Sequence, residues 1–247
     1  MVGEVALFAL VGFAAQLVDG AVGMAYGLIA SSVLQALTVT PAVASASVHA
    51  AEIVTTGASG IAHWRLGNVD GRLVLRLAVP GMLGGIAGAY MLSDLPLGIV
   101  RPVVGGYLAV MGLLILWRAL RPMDHSSPTG ARLVPLGAMA GFLDAVGGGG
   151  WGPLVASTLI GRGGAPRSAI GSTNAAEFFV TCAITVTFLF ELGLELWPVI
   201  LGLVLGGVAA APLAALLTRR LPVRALLAAV GLAVSLLGAR TLLRALA

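Results

Sequence analysis

Four carboxylates interrupt otherwise apolar stretches of this 247-residue chain, in two matched pairs: Asp19 with Asp144, and Glu52 with Glu177. An aspartate inside an apolar span costs about 2.5–3.5 kcal/mol to insert, so two at equivalent positions argue against accident. Each aspartate opens a glycine-rich run, DGAVGMAYG at 19–27 and DAVGGGGWGP at 144–153. Glycine lets backbone approach a ligand closely. A half-helix starting there would aim free N–H groups and its positive dipole end at an anion, without any basic side chain. Tight helix packing is the competing use of such glycines, and four in a row exceed what packing needs. The aspartates also have a second use, as caps for the helix that follows, and one carboxylate can serve both.

Glu52 and Glu177 are read as proton carriers, since a carboxyl that gains and loses a proton couples proton movement to an anion. His49 stands three residues before Glu52, on the same helix face, and Asn174 holds the equivalent place before Glu177. His49 is either a structural hydrogen-bond partner or a member of the site. Ser47, Ser172 and Thr173 flank these positions as candidate hydroxyl ligands, although such residues in membrane helices often bond their own backbone. Tyr26 and Trp151 would wall or gate the site, or simply pack. The candidate substrate-binding set is Gly23, Met24, Tyr26, Ser47, His49, Gly148, Gly149, Gly150, Trp151, Ser172, Thr173 and Asn174, and the candidate proton-coupling set is Asp19, Glu52, Asp144 and Glu177.

No catalytic constellation accompanies them. There is no P-loop, no H-E-x-x-H and no nucleophile elbow, and the glycine run belongs to no βαβ unit. The lone Cys182 can build neither an internal disulfide nor a metal cluster and is read as a packing residue. No enzymatic activity, cofactor or metal is expected.

The elements that would position these groups follow from composition. Of all residues 59% are hydrophobic and 10% charged, against about 25% charged in soluble domains, and mean hydropathy is +1.04. Lipid must be the solvent for most of the chain. The +4 charge comes from 14 arginines and no lysine. They stand singly between apolar spans, form no basic face for nucleic acid, and read as topology markers. No cleavable signal peptide is expected from the N-terminus. Eight apolar segments run roughly 5–37, 42–61, 73–92, 97–117, 133–160, 168–190, 196–217 and 223–243, with Trp64, Trp117 and Trp197 at segment ends as interface anchors. Six have the length of one span. The first and fifth are too long for one helix and too short for two full spans, and each is broken by a glycine run.

Those two breaks are related by a shift of 125. Asp19 then meets Asp144, Pro41 meets Pro166, His49 meets Asn174 and Glu52 meets Glu177, with 14 identities in 45 pairs from Gly12 to Thr56, where chance gives roughly four. One inserted residue later, Leu95 and Pro96 meet Leu221 and Pro222. The chain is an internal duplication: an N-terminal repeat at 1–122, a linker at 123–130 and a C-terminal repeat at 131–247. Were all eight segments to cross once, the arginines would divide 8 to 6. With segments one and five as hairpins they divide 11 to 3, only Arg101, Arg240 and Arg244 lying opposite the rest, as the positive-inside rule requires. The predicted fold is therefore an all-α integral membrane protein of two inverted repeats, each a glycine-broken re-entrant hairpin plus three transmembrane helices, with both termini outside the inner membrane. Such repeats mark secondary transporters.

The two copies of an acidic residue, a glycine-rich run and a following helix with proline and an N/H-x-x-E element resemble the TauE/SafE sulfite-exporter family, also called the toluene-sulfonate uptake permease family. Residues 141–154, GFLDAVGGGGWGPL, carry the more specific match; the first half departs, with Met24 and Ala25 at glycine positions. The resemblance implies transport of a sulfur-containing anion such as sulfite, sulfoacetate or another organosulfonate across a bacterial cytoplasmic membrane, with direction left open. The combined expectation is a proton-coupled secondary transporter working by alternating access at a midplane site. Its partners are a small anion, protons and the lipid bilayer, with homo-oligomer formation left open. An anion channel and a non-transporting membrane subunit or scaffold are the competing classes.

Overall fold

A computed structural model describes residues 2–22, 24–120, 132–162, 164–193, 197–217 and 223–247. Gly23, the linker at 123–130, and Arg121, Arg219 and Arg220 lie outside the described residues. The described residues form ten helices and no strand: α1 (Val2–Val22), α2 (Tyr26–Ala36), α3 (Pro41–Arg65), α4 (Gly71–Asp94), α5 (Leu97–Leu120), α6 (Leu133–Gly147), α7 (Trp151–Gly161), α8 (Pro166–Leu192), α9 (Trp197–Leu217) and α10 (Val223–Leu246).

The first and fifth apolar segments each hold two helices, and both breaks fall in the glycine runs. The two copies are not equal: α1 has 21 residues and α6 has 15. The isolated Gly12 and Gly20 each cost a helix only about 1 kcal/mol, so α1 continues past both. Four consecutive glycines stop α6 outright. Pro41 and Pro166 begin α3 and α8, where a missing N–H costs nothing. The Asp70 side chain caps α4, accepting from Arg72 N at 2.9 Å and Leu73 N at 3.3 Å.

Among the described residues, four helices are long and apolar enough to cross a bilayer: Gly71–Asp94, Leu97–Leu120, Arg167–Leu192 and Arg224–Leu246. Leu75, Leu83, Val103, Leu113 and Leu236 project outward from them, an apolar surface suited to lipid.

α1 packs on α9 and α6 on α4, while α3 packs on α8 and α5 on α10, so exchanging the halves maps these pairs onto one another. α3 and α8 run antiparallel, with Gly57 against Phe178 and Gly60 against Ala175; α5 and α10 also run antiparallel, with Gly105 against Leu242 and Gly112 against Ser235. α1 runs parallel to α9 (Phe8 to Gly202, Phe13 to Gly206) and α4 parallel to α6 (Leu77 to Gly137, Gly88 to Phe142). Glycine at these crossings brings backbones close enough for dense packing, the main attraction between helices in lipid; a methyl at Gly206 would run into the Ala9 carbonyl.

Candidate functional site

The two aspartates fasten the two breaks. Asp19 Oδ1 accepts from the N–H groups of Ala25 at 2.6 Å and Tyr26 at 3.1 Å, and Asp144 Oδ1 accepts from Trp151 N–H at 2.8 Å. Each carboxylate thus reaches across its break to cap the short helix that follows. The second break needs glycine: Gly148, Gly149 and Gly150 have φ of 68°, 149° and 141°, a region that strains other side chains. The breaks also touch. A methyl on Gly27 would lie 2.7 Å from Gly149 Cα. First-half hydroxyls secure the second-half backbone: Ser31 Oγ donates to Gly148 O at 2.5 Å, Ser45 Oγ to Ala145 O at 2.6 Å and Tyr107 Oη to Gly149 O at 2.8 Å.

Beside this junction lies a cavity of about 410 Å³. The first turns of both short helices line it, through Tyr26 and Gly27 from α2 and Gly152 and Pro153 from α7, together with Asp19, Glu52 and Glu177. Two helix N-termini converging on one space favour negative charge there. The carboxyls oppose it. Glu52 is 4% exposed, Gly27 N–H donates to it, and Asp144, Glu177 and Asp19 all lie within electrostatic reach of it. Its Oε2 has no partner among the described residues. The cavity lining continues along α3 through Thr56 and Ser59 to His63, about 16 Å from Glu52 at helical rise.

His49 does not turn to Glu52. Its Nδ1 lies 2.8 Å from Ser45 O, an acceptor only, so Nδ1 carries a hydrogen and donates it. Its Nε2 lies 3.2 Å from Asp144 Oδ2, with both side chains at most 1% exposed. A single proton, on Nε2 or on Oδ2, completes that contact. The structure therefore links α3 of the first half to the break of the second.

The remaining candidates divide between lining and support. Met24, Tyr26, Gly150, Asn174, Asp19, Glu52 and Glu177 line the cavity. Asn174 Nδ2 donates to Ser59 Oγ at 2.8 Å, and Tyr26 Oη donates to Leu203 O at 3.1 Å. Ser47, His49, Gly148, Gly149, Trp151, Ser172, Thr173 and Asp144 stand outside the lining. Ser47 Oγ donates to Val43 O of its own helix at 2.8 Å. Ser172 Oγ accepts from Asp70 N–H at 2.9 Å and so anchors the start of α4. Trp151 is fully buried and donates through Nε1 to Thr173 O at 3.1 Å. Gly23 lies outside the described residues.

Among the polar lining groups, Gln16, Thr55, Ser59 and His63 escaped the sequence reading; His63, expected in a loop, stands in the last turn of α3. Helical spacing held the signal, because Gln16 precedes Asp19 by three residues while Thr55 and Ser59 follow Glu52 by three and seven. Gln16 is 9% exposed with an unpartnered Oε1.

Comparison with known proteins gives two findings. The family described as Sulfite exporter TauE/SafE matches residues 8–241. A relative from Bacillus subtilis (strain 168), described as "Probable membrane transporter protein YtnM", is 42% identical over 246 residues, covering 96% of this chain and 82% of the relative. No solved structure matches the chain.

Proposed function

The chain belongs to the TauE/SafE sulfite exporter family, a family of membrane transporters, and from that premise we propose that it moves a small sulfur-containing anion, such as sulfite, sulfoacetate or another organosulfonate, across the cytoplasmic membrane. One observation carries the proposal: two helix N-termini, one from each half, and three carboxyls face the same cavity.

That lining also bears on coupling. Like charges about 4 Å apart repel by about 4 kcal/mol at an effective dielectric of about 20. An anion therefore enters beside Asp19, Glu52 and Glu177 when those groups carry protons, and anion and protons travel in the same direction. The lining side chains are the proposed binding set. His49, Asp144, Gly148 and Gly149 hold the break in place.

Inverted topology is the proposed frame. Its support is directional: α5 and its counterpart α10 are both long enough to span and run antiparallel, as do α3 and α8. Following the chain from there, α6 and α7 make a hairpin on one side and α1 and α2 on the other. Both termini then face away from the Arg65 loop, which the arginine asymmetry puts in the cytoplasm. The cavity reaches His63 near that loop, whereas toward Pro41 the groups Ser45 and His49 are engaged with Ala145 and Asp144. A cavity lined toward His63 with bonded groups toward Pro41 favours alternating access over an open anion channel.

Counterflow of labelled sulfite or sulfonate in proteoliposomes tests the reading. Saturable exchange accelerated by a proton gradient directed with the anion is expected. No saturable flux with any oxoanion would sink the substrate assignment, indifference to the gradient would remove proton coupling, and unitary conductance in planar bilayers would make the protein a channel.

A further inference from the structure

At the Pro41 end of α3, opposite His63, three arginines converge. Arg101 at the start of α5, with Arg240 and Arg244 near the end of α10, lines a pocket of about 100 Å³ shared with Gln35, Thr38 and Pro41. They are the same three arginines that depart from the charge asymmetry of the chain. No described carboxylate pairs with any of them. The three side chains are exposed, so solvent screens part of their mutual repulsion; an anion between them would offset the rest, and their forked donors suit an oxoanion.

The fold does not impose this cluster. At the equivalent positions of the other repeat, Arg101 and Arg240 are replaced by Leu227 and Leu114, and the counterpart of Arg244, Arg118, donates to Pro153 O at 2.6 Å. One end of the α5 and α10 pair thus carries three arginines, and the equivalent positions at the other end carry two leucines and the engaged Arg118. A second observation points into the pocket. Gln35 is 7% exposed and its Oε1 has no partner; rotation of the amide presents N–H groups at the same place. The N-terminus of α3, a 25-residue helix, adds positive potential beside it.

We propose that this pocket binds one oxoanion group, either the sulfite or sulfonate of a soluble anion or the phosphodiester of a lipid headgroup. The inference stands independently of the central cavity and its function.

The test uses the full chain with Cys182→Ala and Thr38→Cys, in nanodiscs of phosphatidylcholine. Relative to free cysteine, the introduced thiol should react about tenfold faster with sulfonatoethyl methanethiosulfonate than with its trimethylammonium analogue, the worth of one charge-assisted contact. Arg101→Gln with Arg240→Gln should abolish that preference. Saturable protection by methanesulfonate in phosphatidylcholine identifies a soluble ligand, and protection on adding phosphatidylglycerol identifies a headgroup. Equal rates for both reagents, with protection by neither ligand, would overturn the proposal. Should the arginine variants fail to fold, the protection measurements on the arginine-intact protein still decide.

Discussion

His49 Nε2 lies 3.2 Å from Asp144 Oδ2, a buried contact that joins the two halves of the duplication where the glycine break turns. Asp144 divides its carboxylate: Oδ1 caps α7 at Trp151 and Oδ2 faces the histidine. His49→Ala leaves Oδ2 buried without a partner. The expected cost is about 1–3 kcal/mol, read as a lower Tm in detergent together with slower anion flux. Ser47→Ala, which removes only a bond within α3, should leave flux unchanged. Equal loss in both variants would place the histidine outside any special role.

The junction of the breaks makes a steric prediction. Gly149 has φ of 149°, and a methyl there would meet the Gly27 and Leu28 backbone. Gly149→Ala should abolish flux and destabilise the protein by about 1–3 kcal/mol from backbone strain alone. Gly98→Ala, where a methyl meets nothing within 4 Å, should be neutral or slightly stabilising. Near-native flux in Gly149→Ala would show that the two backbones separate easily.

Proton coupling is tested by neutral replacements. Glu52→Gln and Glu177→Gln keep volume and hydrogen-bonding capacity while removing the exchangeable proton. In proteoliposomes each should retain anion exchange at zero pH gradient and lose acceleration by an imposed one. Retained gradient dependence in both single variants and in the double variant would move the coupling to Asp19 or Asp144.

Tyr107 offers a milder perturbation. Its hydroxyl donates to Gly149 O at 2.8 Å. Tyr107→Phe should cost about 0.5–1.5 kcal/mol, visible as a modest fall in Tm, because the ring packing remains while one carbonyl of the break loses its donor.

Topology has a direct readout. Leu66→Cys, beyond the end of α3 at a position 73% exposed, and Gly98→Cys at the start of α5 should be labelled from opposite sides by an impermeant thiol reagent. Leu66→Cys should react from the cytoplasmic side. Labelling of both from one side would break the inverted arrangement.

Family membership and the helical membrane character were legible in the sequence because both rest on local properties. Hydropathy is a sum over neighbours in the chain, duplication is a comparison of positions, and DAVGGGGWGP marks a helix break because glycine backbone entropy and left-handed φ act within a few residues. The capping use of Asp19 and Asp144 is likewise a matter of short range. What tertiary structure alone decided is which faces meet. The spacing of His49 and Glu52 gave a common helix face, yet the imidazole meets Asp144, 95 residues away. Ser172 proved to hold α4 through Asp70, and Arg101, Arg240 and Arg244 gather in one pocket although 139 residues separate the first two. Helical periodicity orders side chains around one axis; only the packing of one axis against another sets the partner of each.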